Sequence, residues 1–221
     1  MTGIDKSTNG YKLATPTGVL HTSQVIIATN GYSSDDVPDW LSGRYLPTQS
    51  NVIVTRPLTD AELAAQGWAS HQMCYDTRNL LHYFRLMPDR RFLFGMRGGL
   101  RSSDAADARS ARRNRQDFES LFPAWKHVET TNCWSGMVCL SRRLVPFVGP
   151  IPDMPGVFAG LAYHGNGVAM GSYAGKKLAE LVLGSANVPS VLQKHMQRFP
   201  LGLSRRALML PAYAGFILAD L

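Results

Sequence analysis

VFAGLAYHGNGVAMGSYAGKKLAELVL, residues 157–183, passes from a short apolar run through a glycine-rich bend into a helical pattern. Val157–Ala162 is continuous and apolar, the pattern of a strand buried on both faces. Tyr163–Val168 is the bend, and a helix is expected from there to about Leu183. Gly165, Gly167 and Gly171 are spaced GxGxxxG. Glycines let a backbone approach a ligand without a Cβ clash. A helix beginning there presents free N–H groups and a positive dipole end, which can hold a phosphate or another electron-rich group. The pattern is not a Rossmann fingerprint. It has one residue too many, lies late in the chain, and has no acidic residue closing a second strand about 20 residues on. Taken alone, it also fits a tight turn with close helix–sheet packing.

Working outward, Gln24–Ala28 is a second short run of the type buried on both faces, ended by the turn signal Thr29-Asn30-Gly31-Tyr32. Before it, Tyr11–Thr15 and Gly18–Thr22 flank Pro16-Thr17 as a hairpin. Asn51–Thr55 reads as a strand, and Thr59-x-x-Glu62 has capping-box spacing for a short helix. Leu80–Leu86 and Phe92–Met96 flank Pro88–Arg91 as a second hairpin. Ser103–Leu121 reads as one long polar helix stopped at Phe122-Pro123. Asn132–Leu140 is strand-like, and helices are expected near Pro189–Phe199 and Ser204–Leu218. The sum is a mixed α/β and α+β chain, in which the middle strands followed by a long helix suggest an α+β unit lying over one face of a sheet.

Composition narrows the function. The 221 residues are 45% apolar and 18% charged, enough to bury a core and too few charges for a disordered polyelectrolyte. The net charge is +7. Much of the excess sits in Arg97, Arg101, Arg109, Arg112, Arg113 and Arg115, with Asp104, Asp107 and Asp117 interspersed. That is the mixture of a solvated helix face, and no aromatic interleaving points to nucleic acid. The three cysteines, Cys74, Cys133 and Cys139, lack CxxC spacing, so neither a metal site nor a disulfide framework is expected. No signal peptide or uninterrupted membrane span is visible, and the chain is read as cytoplasmic.

Four segments, in order, resemble the D-amino-acid oxidase-like FAD superfamily, with the closest likeness to its γ-glutamylputrescine oxidase and glycine/sarcosine oxidase branches. They are Val25-Ile-Ile-Ala-Thr-Asn-Gly-Tyr32; Arg85 with Pro88-Asp-Arg-Arg-Phe-Leu-Phe-Gly95; Trp134-Ser-Gly136 with Pro146-x-x-Gly149; and Ala162-Tyr-His-Gly-Asn-Gly-Val168. The resemblance implies an incomplete FAD/NAD(P)-binding domain at 1–45 and 132–185, an antiparallel or mixed-sheet substrate domain at 46–131, and C-terminal helices at 186–221. It implies non-covalent FAD and a reaction in which hydride leaves the carbon beside an amine. The substrate would be a small amine or amino acid. Family members begin with a strand, GxGxxG and helix for the FAD pyrophosphate, and nothing of that kind precedes Met1. The chain is therefore expected to bind FAD poorly alone, to be inactive alone, and to self-associate or take up the missing N-terminal segment. A flavin-free interaction module of the same fold is the alternative.

The same resemblance places Thr29, Gly31, Trp134, Gly136, Gly149, Gly165, Asn166, Gly167, Val168 and Ala169 at the cofactor. Arg85 and Tyr83, two apart and so on one face of a strand, are the first candidates for the substrate, since arginine binds carboxylates in a bidentate way. Gln49 is a further substrate candidate. His164, beside the glycine bend, is the candidate proton acceptor or polar wall. Cys139 is expected to be buried and inert.

Overall fold

The computed structural model describes residues 1–99, 103–185 and 187–220; Arg101 of the basic segment lies outside them. The chain opens with β1 (Gly3–Ser7), β2 (Gly10–Thr15) and β3 (Gly18–Thr22), an antiparallel sheet in that order. The hairpin at Pro16-Thr17 closes with Thr15 opposite Gly18. β4 (Val25–Ile27) follows, and β5 (Tyr45–Pro57) is far longer than the Asn51–Thr55 run. α1 (Asp60–Gln66) starts at a complete capping box: Thr59 Oγ1 accepts from Glu62 N at 3.2 Å and Glu62 Oε2 accepts from Thr59 N at 2.8 Å. β6 (Cys74–Tyr75), β7 (His82–Leu86) and β8 (Arg91–Arg97) lead to α2 (Asp104–Leu121), capped by Ser103. β9 (Thr130–Ser141), β10 (Phe147–Pro150), β11 (Val157–Leu161), α3 (Gly167–Val182), α4 (Ser190–Gln193) and α5 (Met209–Ala219) complete the chain. No described helix is long and apolar enough to cross a membrane.

Two compact units result, Met1–Pro47 with Val138–Ala207 and Thr48–Met137 with Leu208–Leu221. In the first, β10, β11 and β4 form a sheet in that order, with β10 antiparallel to β11 and β11 parallel to β4. Val157, Ala159 and Leu161 point into a core shared with Tyr11, Leu41 and Phe147. The opposite face of this sheet meets Ala174 and Leu178 of α3 and Leu192 of α4. β11 is covered on both faces, as its sequence indicates. β4 is not: Val25 and Ile27 are buried, but Ile26 is 45% exposed. Among the described residues β4 is the last strand of its sheet, so alternation sends Ile26 to an uncovered side.

The expected helix over Pro189–Phe199 shrinks to the single turn of α4. Tertiary hydrogen bonds claim the backbone beyond it: Met196 O accepts from Arg44 Nε at 3.1 Å, and Phe199 N donates to Gly43 O at 2.7 Å. Residues 202–208 form a 3-10 turn before α5. Arg205 from this turn is 2% exposed and forks onto the Asp35 carboxylate while donating to the carbonyls of Tyr45 and Gly202.

The second unit is built on a sheet ordered β6-β7-β8-β5-β9. Its core is aromatic: Phe92, Phe94, Phe118 and Trp125 are fully buried, with Phe122 and Trp68 against them. Long-range partners that no local pattern announces lock α2 to the sheet. Asn114 Nδ2 donates to the carbonyls of Asn51 and Phe94 at 3.3 and 3.4 Å. His82, 3% exposed, has Nδ1 at 2.6 Å from Asp76 and Nε2 at 3.2 Å from Asp117.

Burial alone depresses the basicity of His82, but hydrogen bonds and charge from Asp117 and Asp76 outweigh it, and the net shift is upward. A histidine whose folded value is raised stabilises the fold fully below the unfolded imidazole value, about 6.5. That stabilisation is lost as pH rises through the higher folded value. The urea midpoint of the second unit is thus expected to fall from mildly acidic to mildly alkaline pH. In His82→Gln this segment of the pH profile should be flat. An equal slope in the variant would remove His82 from the explanation.

Candidate functional site

The site grows from two strand ends lying side by side. Because β4 and β11 are parallel neighbours, their C-terminal ends emerge on the same edge. From β4 the chain enters the turn Asn30–Tyr32, and from β11 it enters the glycine bend and α3. Parallel strands followed by turns and helices create crevices of this kind at their carboxyl ends. The two turns are tied together by Asn30, whose Oδ1 accepts from Ala162 N at 3.0 Å.

The backbone here is held in left-handed geometry by several residues. Asn30, Ala162 and His164 have φ of 46°, 63° and 53°, and Gly165 has 97°. Non-glycine residues resist such values, so a run of them marks a bend whose shape is over-determined by its surroundings. Asn30, between the candidates Thr29 and Gly31, is the positioning residue of this turn. An asparagine before glycine tolerates left-handed geometry and lends its side chain to a neighbouring backbone, and that is its signal in the sequence.

The bend faces solvent. Gly165, Asn166, Gly167, Val168 and Ala169 are all exposed, Val168 to 94%. α3 has no side-chain cap, and its first intrahelical bond runs from Met170 N to Asn166 O at 3.0 Å. The N–H groups of Gly167, Val168 and Ala169 precede that bond and project from the helix end. Two glycines differ in what they serve. At Gly160 a Cβ would lie 2.8 Å from Leu178 Cδ1, so glycine there lets α3 pack on β11. At Gly167 a Cβ would meet nothing closer than Tyr163 Cδ2 at 4.0 Å, so internal packing does not require glycine. An open, uncapped helix end with a bare backbone fits an electron-rich ring edge or an anion. The residues present therefore suit the part of a flavin that gathers negative charge on reduction.

The other residues singled out from sequence divide between the units. In the first unit, Thr29 Oγ1 is 2.7 Å from Ser33 Oγ, and Gly31 is buried in the turn that Asn30 stitches to Ala162. His164 Nε2 lies 3.3 Å from Ser141 Oγ and its backbone N donates to Cys139 O. Gly149 sits on β10 opposite Ala159, with Gln193 Cγ 3.6 Å from where its Cβ would be; it is separate from the bend. In the second unit, Trp134 is half exposed and Gly136 partly buried, both on β9. Tyr83 OH is 2.8 Å from Ser50 Oγ, and its ring lies where a Cβ on Gly95 would be. Arg85, on the same strand, is exposed and donates from Nε to His71 O at 3.0 Å. Gln49 is 2% exposed, its amide nitrogen engages Asp107, and its side chain fills the space above Gly99.

Cys139, 1% exposed behind the bend, is pushed up to about 12, chiefly by burial. It stays a thiol at any ordinary pH and is a poor nucleophile. A thiol reagent at mildly alkaline pH is expected to modify exposed Cys133 and partly exposed Cys74 in the native chain, and Cys139 only after denaturation. Mass mapping of a native adduct at Cys139 would contradict this burial.

Residues 1–181 match the family described as FAD dependent oxidoreductase. The chain is 32% identical over 219 residues to a probable oxidoreductase OrdL of Rhizobium meliloti (strain 1021), covering 98% of this chain and 49% of that protein. It is 30% identical over 180 residues to the gamma-glutamylputrescine oxidoreductase of Escherichia coli (strain K12), covering 78% of this chain and 39% of that one. Among solved structures, glycine oxidase from Geobacillus kaustophilus superposes with a TM-score of 0.69 at 16% identity, covering 89% of this chain and 51% of that one. Iminodiacetate oxidase from Chelativorans sp. BNC1 gives a TM-score of 0.68 at 18% identity, with 88% and 51% covered; these two share the fold. The chain thus spans about half the length of the relatives it matches. On the family match over residues 1–181, this chain belongs to the FAD dependent oxidoreductases.

Proposed function

We propose that this chain supplies the flavin-edge and substrate-side portion of an oxidoreductase that oxidises a C–N bond of a small amine or amino acid. The observation that carries the reading is the open glycine bend at the start of α3, whose amide groups are neither capped by a side chain nor covered by packing. Bound FAD would supply the hydride acceptor. The residues of the chain do the rest. Gly167, Val168 and Ala169 aim backbone N–H groups at the ring edge where charge develops, preorganised stabilisation of the oxyanion-hole type. Thr29 and Gly31 line the cofactor by backbone approach, and Asn30 fixes their turn against Ala162. His164, held at Nε2 by Ser141, is the proposed polar wall or proton acceptor. Trp134 and Gly136 are proposed at the isoalloxazine and Gly149 along the cofactor. Arg85 and Tyr83, with Gln49, are proposed for the substrate. Residues 1–45 and 132–185 would then be the flavin-binding part and residues 46–131 the substrate-binding part.

Relatives are about twice as long, and a dinucleotide-binding segment beside β4, over Ile26, is the proposed complement. The test is the visible absorption spectrum of the purified chain with added FAD, alone and co-expressed with the N-terminal half of its Rhizobium relative. The chain alone is expected to retain little flavin, and the complemented pair to be yellow with an oxidised flavin spectrum. A well-formed but colourless pair would contradict the flavin reading and favour a flavin-free interaction module.

A further inference from the structure

The second unit holds a cleft that the flavin reading does not use. It has two adjoining lobes of about 290 and 160 Å³, and Leu80, Met96, Arg113 and Ile217 line both. The floor is apolar: Met96 is 5% exposed, and Leu80 and Ile217 of α5 stand beside it. The larger lobe carries Arg97, Arg109 and Arg113 and, among the described residues, no acidic one. Tyr213 of α5 lines the same lobe.

Arg109 and Arg113 are four residues apart on α2, so their guanidinium groups share one helix face. Like charges at this spacing destabilise a helix, and an apolar floor beneath them weakens the screening by water. The neighbouring carboxylates are engaged elsewhere. Asp107 takes the Gln49 amide, and Asp220 accepts from Asn79 N and Nδ2 and from Leu80 N. Asp117 takes His82 and stands 3.9 Å from Arg113, a long pairing. Arg109 spends its Nε on Ala105 O at 3.3 Å, a bond within its own helix. Arg109 and Arg113 therefore line a larger lobe that no described carboxylate lines, while Asp117 and Asp220 stand in the smaller lobe beside Arg78 and His82.

We propose that this cleft binds a small organic oxyanion, a carboxylate or phosphate monoester, with its anionic head against Arg109 and Arg113 and a short apolar body over Met96 and Ile217. The volume admits a ligand of a few heavy atoms beyond its head group. The site lies wholly within the second unit.

The test uses the full chain with ¹³C-labelled methionine and isoleucine methyl groups, titrated separately with hexanoate, hexyl phosphate and hexylammonium. Both anions, or one of them, are expected to give saturable shifts at Met96 and Ile217; the tighter identifies the preferred head group. Hexylammonium is expected to give none there. Arg109→Glu with Arg113→Glu should weaken the anion at least tenfold while leaving the methyl shifts of the first unit unchanged. If the double variant fails to fold, Arg109→Glu alone, on an exposed helix face, should still weaken it several-fold. No saturable shift with either anion, an equal response to hexylammonium, or undiminished binding in the folded variants would overturn the proposal.

Discussion

Asp35→Ala is expected to destabilise the first unit more than Arg205→Met does, although arginine makes more of the contacts. The asymmetry follows from where each charge sits. Arg205 is 2% exposed, whereas the Asp35 side chain is 31% exposed. Removing Asp35 strands a buried guanidinium whose remaining acceptors, the carbonyls of Tyr45 and Gly202, carry no full charge. Breaking a buried pair in this way costs about 3–5 kcal/mol. Arg205→Met keeps most of the stem volume, and the carboxylate left behind can take up water. The cost is then mostly lost hydrogen bonds, about 2–3 kcal/mol, after allowance for solvent screening at Asp35. Urea unfolding of the two single variants and the double variant measures this. The double variant should be less damaged than the sum of the singles. An Arg205→Met loss as large as that of Asp35→Ala would mean that shape, and not charge, holds this 3-10 turn in place.

In the second unit the largest single loss is expected from Phe92→Ala. Phe92 is fully buried, with ring centroids 4.8 Å from Trp125, 4.9 Å from Phe122 and 5.3 Å from Trp68. Its backbone N also donates to Thr55 Oγ1 at 2.9 Å, so the strand position is fixed from the main chain and cannot slide to fill a void. Truncation should cost about 3–5 kcal/mol, transfer and cavity terms together. Phe92→Leu, which keeps more of the volume, should cost about 1–2 kcal/mol. Thermal unfolding followed by near-ultraviolet circular dichroism reports both stability and the aromatic packing itself. A Phe92→Ala protein with an unchanged midpoint would show that the surrounding rings collapse into the gap.

Local chemistry was legible where spacing alone specifies geometry. The Thr59–Glu62 capping box, the Pro16-Thr17 hairpin and the strand–bend–helix from Val157 all sit where their residues indicate. The failures share a cause, which is dependence on partners far along the chain. Strand β1 is polar and short and exists because Gly3–Ser7 pairs with β2. Residues 194–199 leave the helix for Arg44 and Gly43, more than 150 positions away. Ile26 shows the limit of pattern reading, because an apolar run does not disclose whether both faces are covered. At the candidate site the bend was legible from its glycines. The Asn30–Ala162 tie joins residues 132 positions apart, and His82 meets Asp117 35 positions away; neither can be read from a motif.

The most direct test of the flavin reading is amide hydrogen exchange, read by mass spectrometry, on the complemented protein with and without FAD. Within the present chain, added FAD is expected to slow exchange most strongly in peptides spanning Gly165–Met170, with weaker protection at Thr29–Gly31. If FAD is bound and those amides exchange as fast as before, the bend at the start of α3 does not face the ring.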